Sequence, residues 1–376
     1  MIELLRLDNP IRAYAWGSRE VLARLLGRPA PSGSPEAELW IGAHPGDPSR
    51  IAGAGSLLER IDADPGPMLG PGTDRLPFLL KVLAVESALS IQVHPDAAQA
   101  ALGYRREEQC GPPVGDPKRC YHDDWPKPEL LYAVTPFEAL CGFRPPAEAA
   151  AQLRSLGGPR LAKVAGLLEQ EGNRAGVVAL TGWPYDDRAG LVAEAARAGG
   201  WVADLAERHP GDPGVAVALL LHHVTLQPGQ ALFARPRTIH AYLRGTAVEI
   251  MASSDNVLRG GLTPKHVDLP ELLAVTDFAP SPPELVAPVR QPNGEDLFPA
   301  PCTQFQLTRL RLERGAAVRV ADPGPGALLC LEGELEVTRG AACERIGPGQ
   351  ALFLPHDGGA VAVAGDGLGF RAGVPS

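Results

Sequence analysis

The chain has 376 residues, which is long enough for two or three domains and a substantial core. Hydrophobic residues make up 45% of it, but no apolar run approaches the length that crosses a bilayer, so we expect no membrane partner. The formal net charge of -9 argues against nucleic acid as the main partner, although it allows a small phosphorylated substrate.

The cysteines and the first residues indicate the compartment. Six cysteines are scattered along the chain and form neither a zinc-knuckle spacing nor an obvious disulfide framework. The first eight residues include acids and lack the layout of a signal peptide. We therefore expect a reduced, cytoplasmic protein. The content of 43 glycines and 39 prolines is typical of short strands joined by turns.

The segment up to residue 145 is predicted to consist mostly of strands and turns. Residues 76–85 are almost entirely apolar, which predicts a buried strand. Lys81 lies inside this run. Because a buried ammonium group without a partner is costly, Lys81 should face a cavity or a carboxylate.

A period-two alternation follows at residues 89–94 and predicts another strand. Gln92 and His94 then point to the same face, where an amide oxygen and an imidazole nitrogen could share one zinc ion. A strand with a wetted polar face explains this stretch about equally well. The metal hypothesis therefore depends on a carboxylate and a second histidine elsewhere in the chain.

The pattern becomes polar over residues 101–127, and we expect a long basic loop there. A loop of this length is usually either functional or disordered. The strand pattern resumes directly after Glu129.

Residues 146–213 are predicted to form a helical insertion between two blocks of strands. Helical spacing is visible at residues 147–156, 160–170 and 189–208, with a break at 199–200. No convincing chemical cluster is apparent in this segment. Strands resume near residue 224.

An internal repeat links the two strand-rich parts of the chain. The sequence PGQALF occurs at residues 228–233 and again at 348–353. In this register Ala360 corresponds to His240, so we expect two related barrels of which the second has lost the histidine. Residues 280–301 contain seven prolines and are predicted to be a linker.

Glu129 and His240 are the two groups that the strand of Gln92 and His94 requires. Two imidazoles, one amide and one carboxylate would leave Zn²⁺ with one residual positive charge, so that it remains a Lewis acid. Taken singly, Glu129 is better explained as a surface charge and His240 as a satisfied, half-buried imidazole.

A second cluster lies at residues 249–265. There Arg259 precedes two glycines, whose backbone is free to approach a ligand closely. With Lys265 and Lys127, it could bind a phosphate group or sugar hydroxyls. An ordinary solvated loop is the alternative.

Six runs carry a resemblance to a known family: YAWGS, ELWIGAHP, LPFLLKVLAVESALSIQVHPD, KPELLYA, PRTIHAYLRG and ASSDNVLRGGLTPK. In this order they resemble the type I mannose-6-phosphate isomerases, which are zinc-dependent enzymes with a cupin fold. The resemblance covers residue 14 to about 268, interrupted by the helical segment. The chain departs from the family pattern at Trp125-Pro126, where the family often has Asn-His. This difference concerns the rim of the site and hence substrate preference.

The resemblance implies the role of each site residue. The zinc ligands would be Gln92, His94, Glu129 and His240, with one ion per chain. Arg259 would be the active-site arginine. The positions that match those thought to meet the substrate are Ser90, Lys127, Glu249 and Lys265.

We therefore predict an all-β fold of two cupin (jelly-roll) barrels with an α-helical insertion domain. The expected domains are the first cupin, 1–145; the helical insertion, 146–213; the rest of the catalytic cupin, 214–285; and a linker with a metal-free cupin, 286–376. We expect a monomer.

The predicted reaction is the reversible isomerisation of mannose 6-phosphate and fructose 6-phosphate by proton transfer through an enediol. Glu249 is the predicted base, with His240 or a metal-held water as alternatives. Competing functions are an isomerase of another, unphosphorylated aldose, and a catalytically silent metal cupin that binds sugar. The presence of Arg259, Lys265 and all four candidate metal ligands argues against a protein without catalytic activity. An iron cupin dioxygenase would prefer a more histidine-rich shell.

Overall fold

The computed structural model describes residues 4–321 and 324–375. The first three residues and the last, which belong to the first and fourth predicted domains, lie outside the described residues. The strands of this part of the chain are β1 (Leu5–Asp8), β2 (Ile11–Arg12), β3 (Glu38–Ile41), β4 (Arg50–Ile51), β5 (Phe78–Val85), β6 (Ile91–Val93), β7 (Glu129–Ala133), β8 (Phe137–Phe143), β9 (Leu221–Leu226), β10 (Ala231–Ala234), β11 (His240–Ala252), β12 (Leu258–Gly261), β13 (Glu284–Val286), β14 (Val289–Arg290), β15 (Asp296–Phe298), β16 (Gln306–Val320), β17 (Gly326–Arg339), β18 (Ala342–Ile346), β19 (Ala351–Leu354) and β20 (Val361–Gly373).

The helices lie mainly in two stretches, near the beginning of the chain and between β8 and β9. They are α1 (Val21–Leu25), α2 (Leu57–Ala63), α3 (Pro65–Leu69), α4 (Ala97–Cys110), α5 (Pro146–Ser155), α6 (Pro159–Glu171), α7 (Asn173–Thr181), α8 (Arg188–Ala195), α9 (Gly200–Arg208), α10 (Gly214–Ala218) and α11 (Leu269–Val275). No helix in the described ranges is both long enough and apolar enough to span a membrane.

The strands form two antiparallel sheets, so the strand-rich character of the predicted all-β fold is confirmed. The first sheet runs β13-β10-β7-β11-β5-β3-β2, with β6, β8, β9 and β12 joined beside this path. The second runs β14-β15-β16-β20-β17-β19-β1-β4, and β18 pairs with β17. The long strand β11 is the centre of the first sheet, because it pairs with β5, β6, β7 and β8.

The N-terminal strand departs from the predicted division of the chain. Residues 1–145 were assigned to the first barrel, yet β1 pairs with β19 of the second sheet, with Leu5 opposite Phe353. β4 then extends this edge by pairing with β1. Pairing satisfies the backbone groups of an otherwise open sheet edge, and local sequence pattern does not specify which edge a short strand will cover.

One apolar cluster joins the two sheets. It includes Leu39 and Phe78 from the first sheet and Phe353 and Phe370 from the second, all almost fully buried. Tyr132 on β7 contacts Phe370 with ring centroids 4.8 Å apart. This shared core holds the two sheets against one another.

The helices α5 to α10 pack on the other side of the first sheet. Leu161, Val164 and Leu168 recur at helical spacing and are buried in a cluster that also contains Ile91 and Phe143 from the strands. The expected helical stretches are present in this segment. The short helices α7 and α10 were not anticipated, because their apolar residues form runs instead of a clear helical period.

Two predicted irregular segments contain regular structure. The basic loop expected at residues 101–127 begins as helix α4, whose first turn is closed by a reciprocal capping box between Asp96 and Gln99. The face of α4 toward the protein is made of Ala100, Gly103 and Glu107, so it shows no apolar stripe in the sequence. The proline-rich linker at 280–301 contains three short strands, β13 to β15, which pair with both sheets.

Candidate metal centre and active site

Three strand ends bring together the candidate metal ligands. His240 begins β11, where it lies opposite Gln92 of β6. His94 directly follows β6, and Glu129 begins β7. β11 pairs with β6 at His240 but with β7 only from Ala247 to Met251, and it is Met251 that lies opposite Glu129. Glu129 therefore approaches His240 across the sheet and not through direct strand pairing, although the two residues are more than a hundred positions apart in the chain.

The histidines and the glutamate form a compact buried group. Their ligand atoms all lie within 4.8 Å of one another. The Nε2 atoms of His94 and His240 are each 3.2 Å from one carboxylate oxygen of Glu129. The relative exposure of each of the three residues is 1–2%. A rigid, buried N, N, O donor set of this kind suits a zinc ion.

The hydrogen bonds of the two imidazoles test whether a cation fits. Nδ1 of His94 is 2.7 Å from the carbonyl oxygen of Asn256, and Nδ1 of His240 is 2.9 Å from that of Thr238. A carbonyl only accepts, so Nδ1 of each neutral ring carries the proton and Nε2 presents a lone pair. Both Nε2 atoms are buried without a hydrogen-bond partner among the described residues. Lone pairs directed at a carboxylate require a cation between them, so the residues fit a metal.

The protonation states agree with this arrangement. Burial, followed by the charge of Lys127, lowers the pKa of His94 to about 4, so the ring is neutral near pH 7. Burial acts to raise the pKa of Glu129, but the positive charge of Lys127 is the largest of the opposing effects that hold it well below its usual range. Nζ of Lys127 lies 3.1 Å from this carboxylate, and the Tyr242 hydroxyl donates to it at 3.4 Å.

A cavity of about 750 Å³ opens beside the metal group. Five of the predicted site residues line it: Ser90, Gln92, Lys127, Arg259 and Lys265. Arg259 lies opposite Gln92 in the pairing of β12 with β6, so the candidate arginine and the candidate amide ligand are neighbours. The volume of the cavity falls in the range of small-molecule binding sites.

Glu249 lies behind the cavity wall. It is 3% exposed, and within the described part of the chain it is not one of the residues that line the cavity. Its carboxylate is 3.3 Å from Nζ of Lys81, which does line the cavity and is also 3.5 Å from Glu38. Burial is the main cause that raises the pKa of Glu249, while Lys81 acts to lower it. The expectation that Lys81 would face a cavity or a carboxylate is confirmed.

The rim at residues 122–125 is fixed by one buried amide. The side-chain oxygen of Asn256 accepts from the backbone N–H of His122 at 2.7 Å, and its nitrogen donates to the carbonyl of Trp125 at 2.9 Å. The backbone carbonyl of the same residue faces His94. Asn256 therefore links the rim, where the sequence departs from the family pattern, to the orientation of a metal ligand.

The sequence did not single out several residues that line the cavity. Glu38 accepts from Nε1 of Trp40, and its only sequence signal is an acid in a strand of buried residues. Arg208 and His209 also line the cavity, although their helical segment was expected to hold no chemistry. No local pattern identifies them, because their position depends on how the helices pack.

Comparisons with known proteins agree with this geometry. A sequence model described as phosphomannose isomerase type I, catalytic domain, matches residues 4–146. The mannose-6-phosphate isomerase of Escherichia coli strain K12 is 36% identical over 389 residues, covering 96% of this chain and 97% of the relative. The protein of the same name from Emericella nidulans is 32% identical, with 94% and 91% covered.

Solved structures show the same relationship. A zinc-bound holo structure of mannose 6-phosphate isomerase superimposes with a TM-score of 0.92 at 34% identity and covers 100% of both chains. A variant of phosphomannose isomerase from Salmonella typhimurium gives a TM-score of 0.92 at 34% identity, covering 99% of this chain and 100% of the other.

Proposed function

The chain belongs to the type I phosphomannose isomerase family, and from this membership we propose that it interconverts D-mannose 6-phosphate and D-fructose 6-phosphate. It is an intramolecular oxidoreductase of the aldose–ketose isomerase class. The relatives that carry the name mannose-6-phosphate isomerase match nearly its whole length. The observation that carries the proposal is the pair of unpartnered Nε2 atoms directed at Glu129 beside a sugar-sized cavity.

The cofactor is zinc, which solved structures of mannose 6-phosphate isomerase contain, and we propose one ion per chain. We propose His94, Glu129 and His240 as three of its ligands and the amide of Gln92 as the fourth. The contacts that support this set are the two 3.2 Å distances to Glu129 and the pairing of Gln92 with His240. Bound there, zinc supplies Lewis acidity that polarises a substrate oxygen.

The substrate is oriented by charge. Arg259 in β12 and Lys265 in the loop after it, hereafter the loop cations, line one part of the cavity and have no carboxylate within 4.0 Å in the described ranges. A phosphate group suits such unpaired cations, and Ser90 offers a hydroxyl in the same cavity. Lys127, held at Glu129, lies on the metal side. This polarity directs the reacting carbons of the sugar toward the metal group.

The proton transfer between C2 and C1 involves the buried carboxylate and its lysine. Glu249 is the proposed base, and the pKa rise caused by burial gives it the proton affinity that such a base needs. Lys81 stands between it and the cavity. The proton therefore reaches Glu249 either by relay, in which Lys81 first passes one of its own protons to Glu249 and the resulting neutral amine takes the proton from C2, or directly once this ammonium is displaced. Two carboxylates, Glu38 and Glu249, keep Lys81 protonated by raising its pKa against the effect of burial. Its ammonium can thus stabilise a developing enediolate oxygen.

We also propose that the two sheets are two related cupin barrels. Their strand orders correspond, β13-β10-β7-β11-β5-β3 in the first with β1-β19-β17-β20-β16-β15 in the second. The repeated sequence PGQALF leads into β10 and β19 alike. The register that equates His240, the first residue of β11, with Ala360 places Ala360 one residue before β20 begins. Residues 146–213 are then the helical insertion. The second barrel, whose only histidine after residue 303 is His356, is proposed to be metal-free.

A coupled assay tests the proposed function. The purified chain is supplied with mannose 6-phosphate, with and without a chelator, and with free mannose in parallel. We expect turnover of the phosphorylated sugar that the chelator abolishes and added zinc restores. A fully active, metal-free preparation would contradict the zinc assignment. Activity on free mannose with none on mannose 6-phosphate would favour the competing aldose isomerase. The monomeric state and the cytoplasmic location stay predictions.

A further inference from the structure

The cavity has one wall that comes from the helical segment. Arg208 ends helix α9 and His209 follows it, and both line the cavity together with the loop cations. Arg208 is exposed and His209 is partly buried. A second cavity of about 690 Å³ adjoins this place and shares Arg208, His209 and Thr263 with the first. The helical segment therefore reaches the site directly.

The segment that follows α9 and the strand β12, which carries Arg259, are in contact through their backbones. A Cβ atom added to Gly261 would lie 2.6 Å from the Cα of Gly214, so these two glycines pack with their backbones touching. Asp212 accepts hydrogen bonds from the N–H of Gly214 at 2.7 Å and from the N–H of Thr263 at 3.1 Å. The position of α9 is thereby fixed relative to the loop cations.

The cations at this end of the cavity lack carboxylate partners among the described residues. Within residues 4–321 and 324–375, Arg208 and both loop cations have no carboxylate oxygen within 4.0 Å, whereas the cavity residue Glu38 is engaged with Lys81. Burial, and then the charge of Arg259, lower the pKa of Lys265, as expected when like charges are gathered close together. Uncompensated cations that line one cavity are the electrostatic form of an anion site.

Two ordinary explanations for Arg208 must be weighed. A cation is favoured at the C-terminal end of any helix, and Asp204 lies one turn earlier on α9. Both roles would leave Arg208 on the surface and would affect only stability, by a few tenths of a kcal/mol. Neither explains why its neighbour His209 faces the same cavity. That ring is kept neutral near pH 7 because burial lowers its pKa, so it can donate one uncharged hydrogen bond.

We propose that Arg208 and His209 complete, with the loop cations, a binding site for the phosphate group of the substrate. This inference rests on the proposed function and adds residues that determine preference for a phosphorylated sugar. Arg208 supplies a guanidinium that can take two phosphate oxygens at once, and His209 supplies one further donor. The helical segment thus contributes to specificity.

Kinetics of single variants test the proposal. Arg208→Ala should raise KM for mannose 6-phosphate about 10-fold, as expected for one charge-assisted hydrogen-bonding group, and should leave kcat within about 2-fold. The inhibition constant of inorganic phosphate should rise by a similar factor. Arg208→Lys should recover most of the loss because the charge is kept, and His209→Ala should raise KM about 3-fold. Thermal stability should not change.

A matched control is available on the same segment. Arg197 is also exposed, and among the residues that the structure describes its guanidinium donates only to the backbone carbonyls of residues 156 and 157. Arg197→Ala should leave all these kinetic constants unchanged. An Arg208→Ala variant with unaltered KM and unaltered phosphate inhibition would overturn the proposal. Equal losses with mannose 6-phosphate and with free mannose would also overturn it, because the effect would then be structural. If the unsubstituted chain did not isomerise mannose 6-phosphate at all, the proposed function itself would fail.

Discussion

Gly261→Ala is a stringent test of how the site is held together. Gly261 has a φ of 137°, a backbone conformation that residues other than glycine rarely adopt. A Cβ atom added at this position would lie 2.6 Å from the Cα of Gly214. A residue forced into such a conformation costs on the order of 1–3 kcal/mol, and a contact between two backbones cannot be relieved by rotating a side chain. We therefore expect a loss of about 3 kcal/mol of stability, or a displaced loop.

Gly261 is the last residue of strand β12, which carries Arg259 two residues earlier, so a displacement at Gly261 also moves Arg259. A misplacement of about 1 Å at a catalytic group can lower the rate by roughly 10²-fold, so Gly261→Ala should reduce kcat/KM by about that factor. The melting temperature should fall by on the order of 5 °C. Zinc content should remain at one ion per chain, because the proposed histidine and glutamate ligands belong to other strands. The measurements are the coupled isomerase assay, a thermal melt and metal analysis.

Gly260→Ala is the matched control. Its added Cβ would be 3.3 Å from a methyl group of Ile91 and 3.4 Å from one of Leu272, and both are side-chain atoms that can shift. We expect a loss below about 1 kcal/mol and little effect on kcat/KM. If Gly261→Ala behaved like Gly260→Ala in all three measurements, the reasoning that the backbone contact with Gly214 positions the loop would be refuted.

Four further predictions concern single side chains. Glu129→Gln should lower zinc content and reduce activity by more than about 100-fold, since even residues around the ligands are worth 10–100-fold; full zinc occupancy with normal activity would contradict the ligand assignment. Arg259→Ala should raise KM for mannose 6-phosphate, because Arg259 is one of the two loop cations proposed to bind the phosphate group; a fall in kcat with KM unchanged would place the guanidinium at the enediolate and remove it from the phosphate site. Glu249→Gln should lower kcat by roughly 10²–10⁴-fold with zinc retained. In D₂O, the unsubstituted chain should incorporate deuterium at C1 of fructose 6-phosphate. Full retention of the C2 hydrogen together with an active variant would remove Glu249 as the base. Glu295→Gln tests acid stability. Burial acts to raise the pKa of Glu295, but the ion pair with Arg371 outweighs burial and lowers this pKa. The ionised carboxyl therefore stabilises the fold above about pH 4.5, and this contribution is lost as the pH falls through the lowered pKa. The variant should be less stable at neutral pH by about 3 kcal/mol, with the gap closing below about pH 4.5 in denaturant titrations, and a gap independent of pH would contradict the argument.

The metal group was predictable because each part has a local signal. Period-two alternation places Gln92 and His94 on one face of a strand, and the apolar strand patterns beside Glu129 and His240 identify ordered positions. Because zinc accepts a mixed set of N and O donors, these positions can serve one ion although they are far apart in the chain. Lys81 was assigned correctly for a related reason, since burial of a lone ammonium demands a partner.

The local signals failed where small or charged residues form a buried face. Helix α4 was missed because it buries Ala100, Gly103 and Glu107, which give no apolar period. The proline-rich segment was predicted to be a linker because prolines punctuate it, yet its short strands pair with both sheets. In both segments the structure depends on the partner surface, which the local pattern does not contain.

The sequence by itself determined which residues could bind a metal and a phosphorylated sugar, and where the strands that hold them begin. Tertiary structure alone decided which side chains reach the cavity. Pairing of β11 with β5 sets Glu249 opposite Lys81, so the lysine lies at the cavity surface and the carboxylate behind it. Packing of two glycine backbones brings the end of α9 to the site and adds Arg208 and His209. Both outcomes arise from contacts between distant segments, whose register and approach are set by the packing of the whole core.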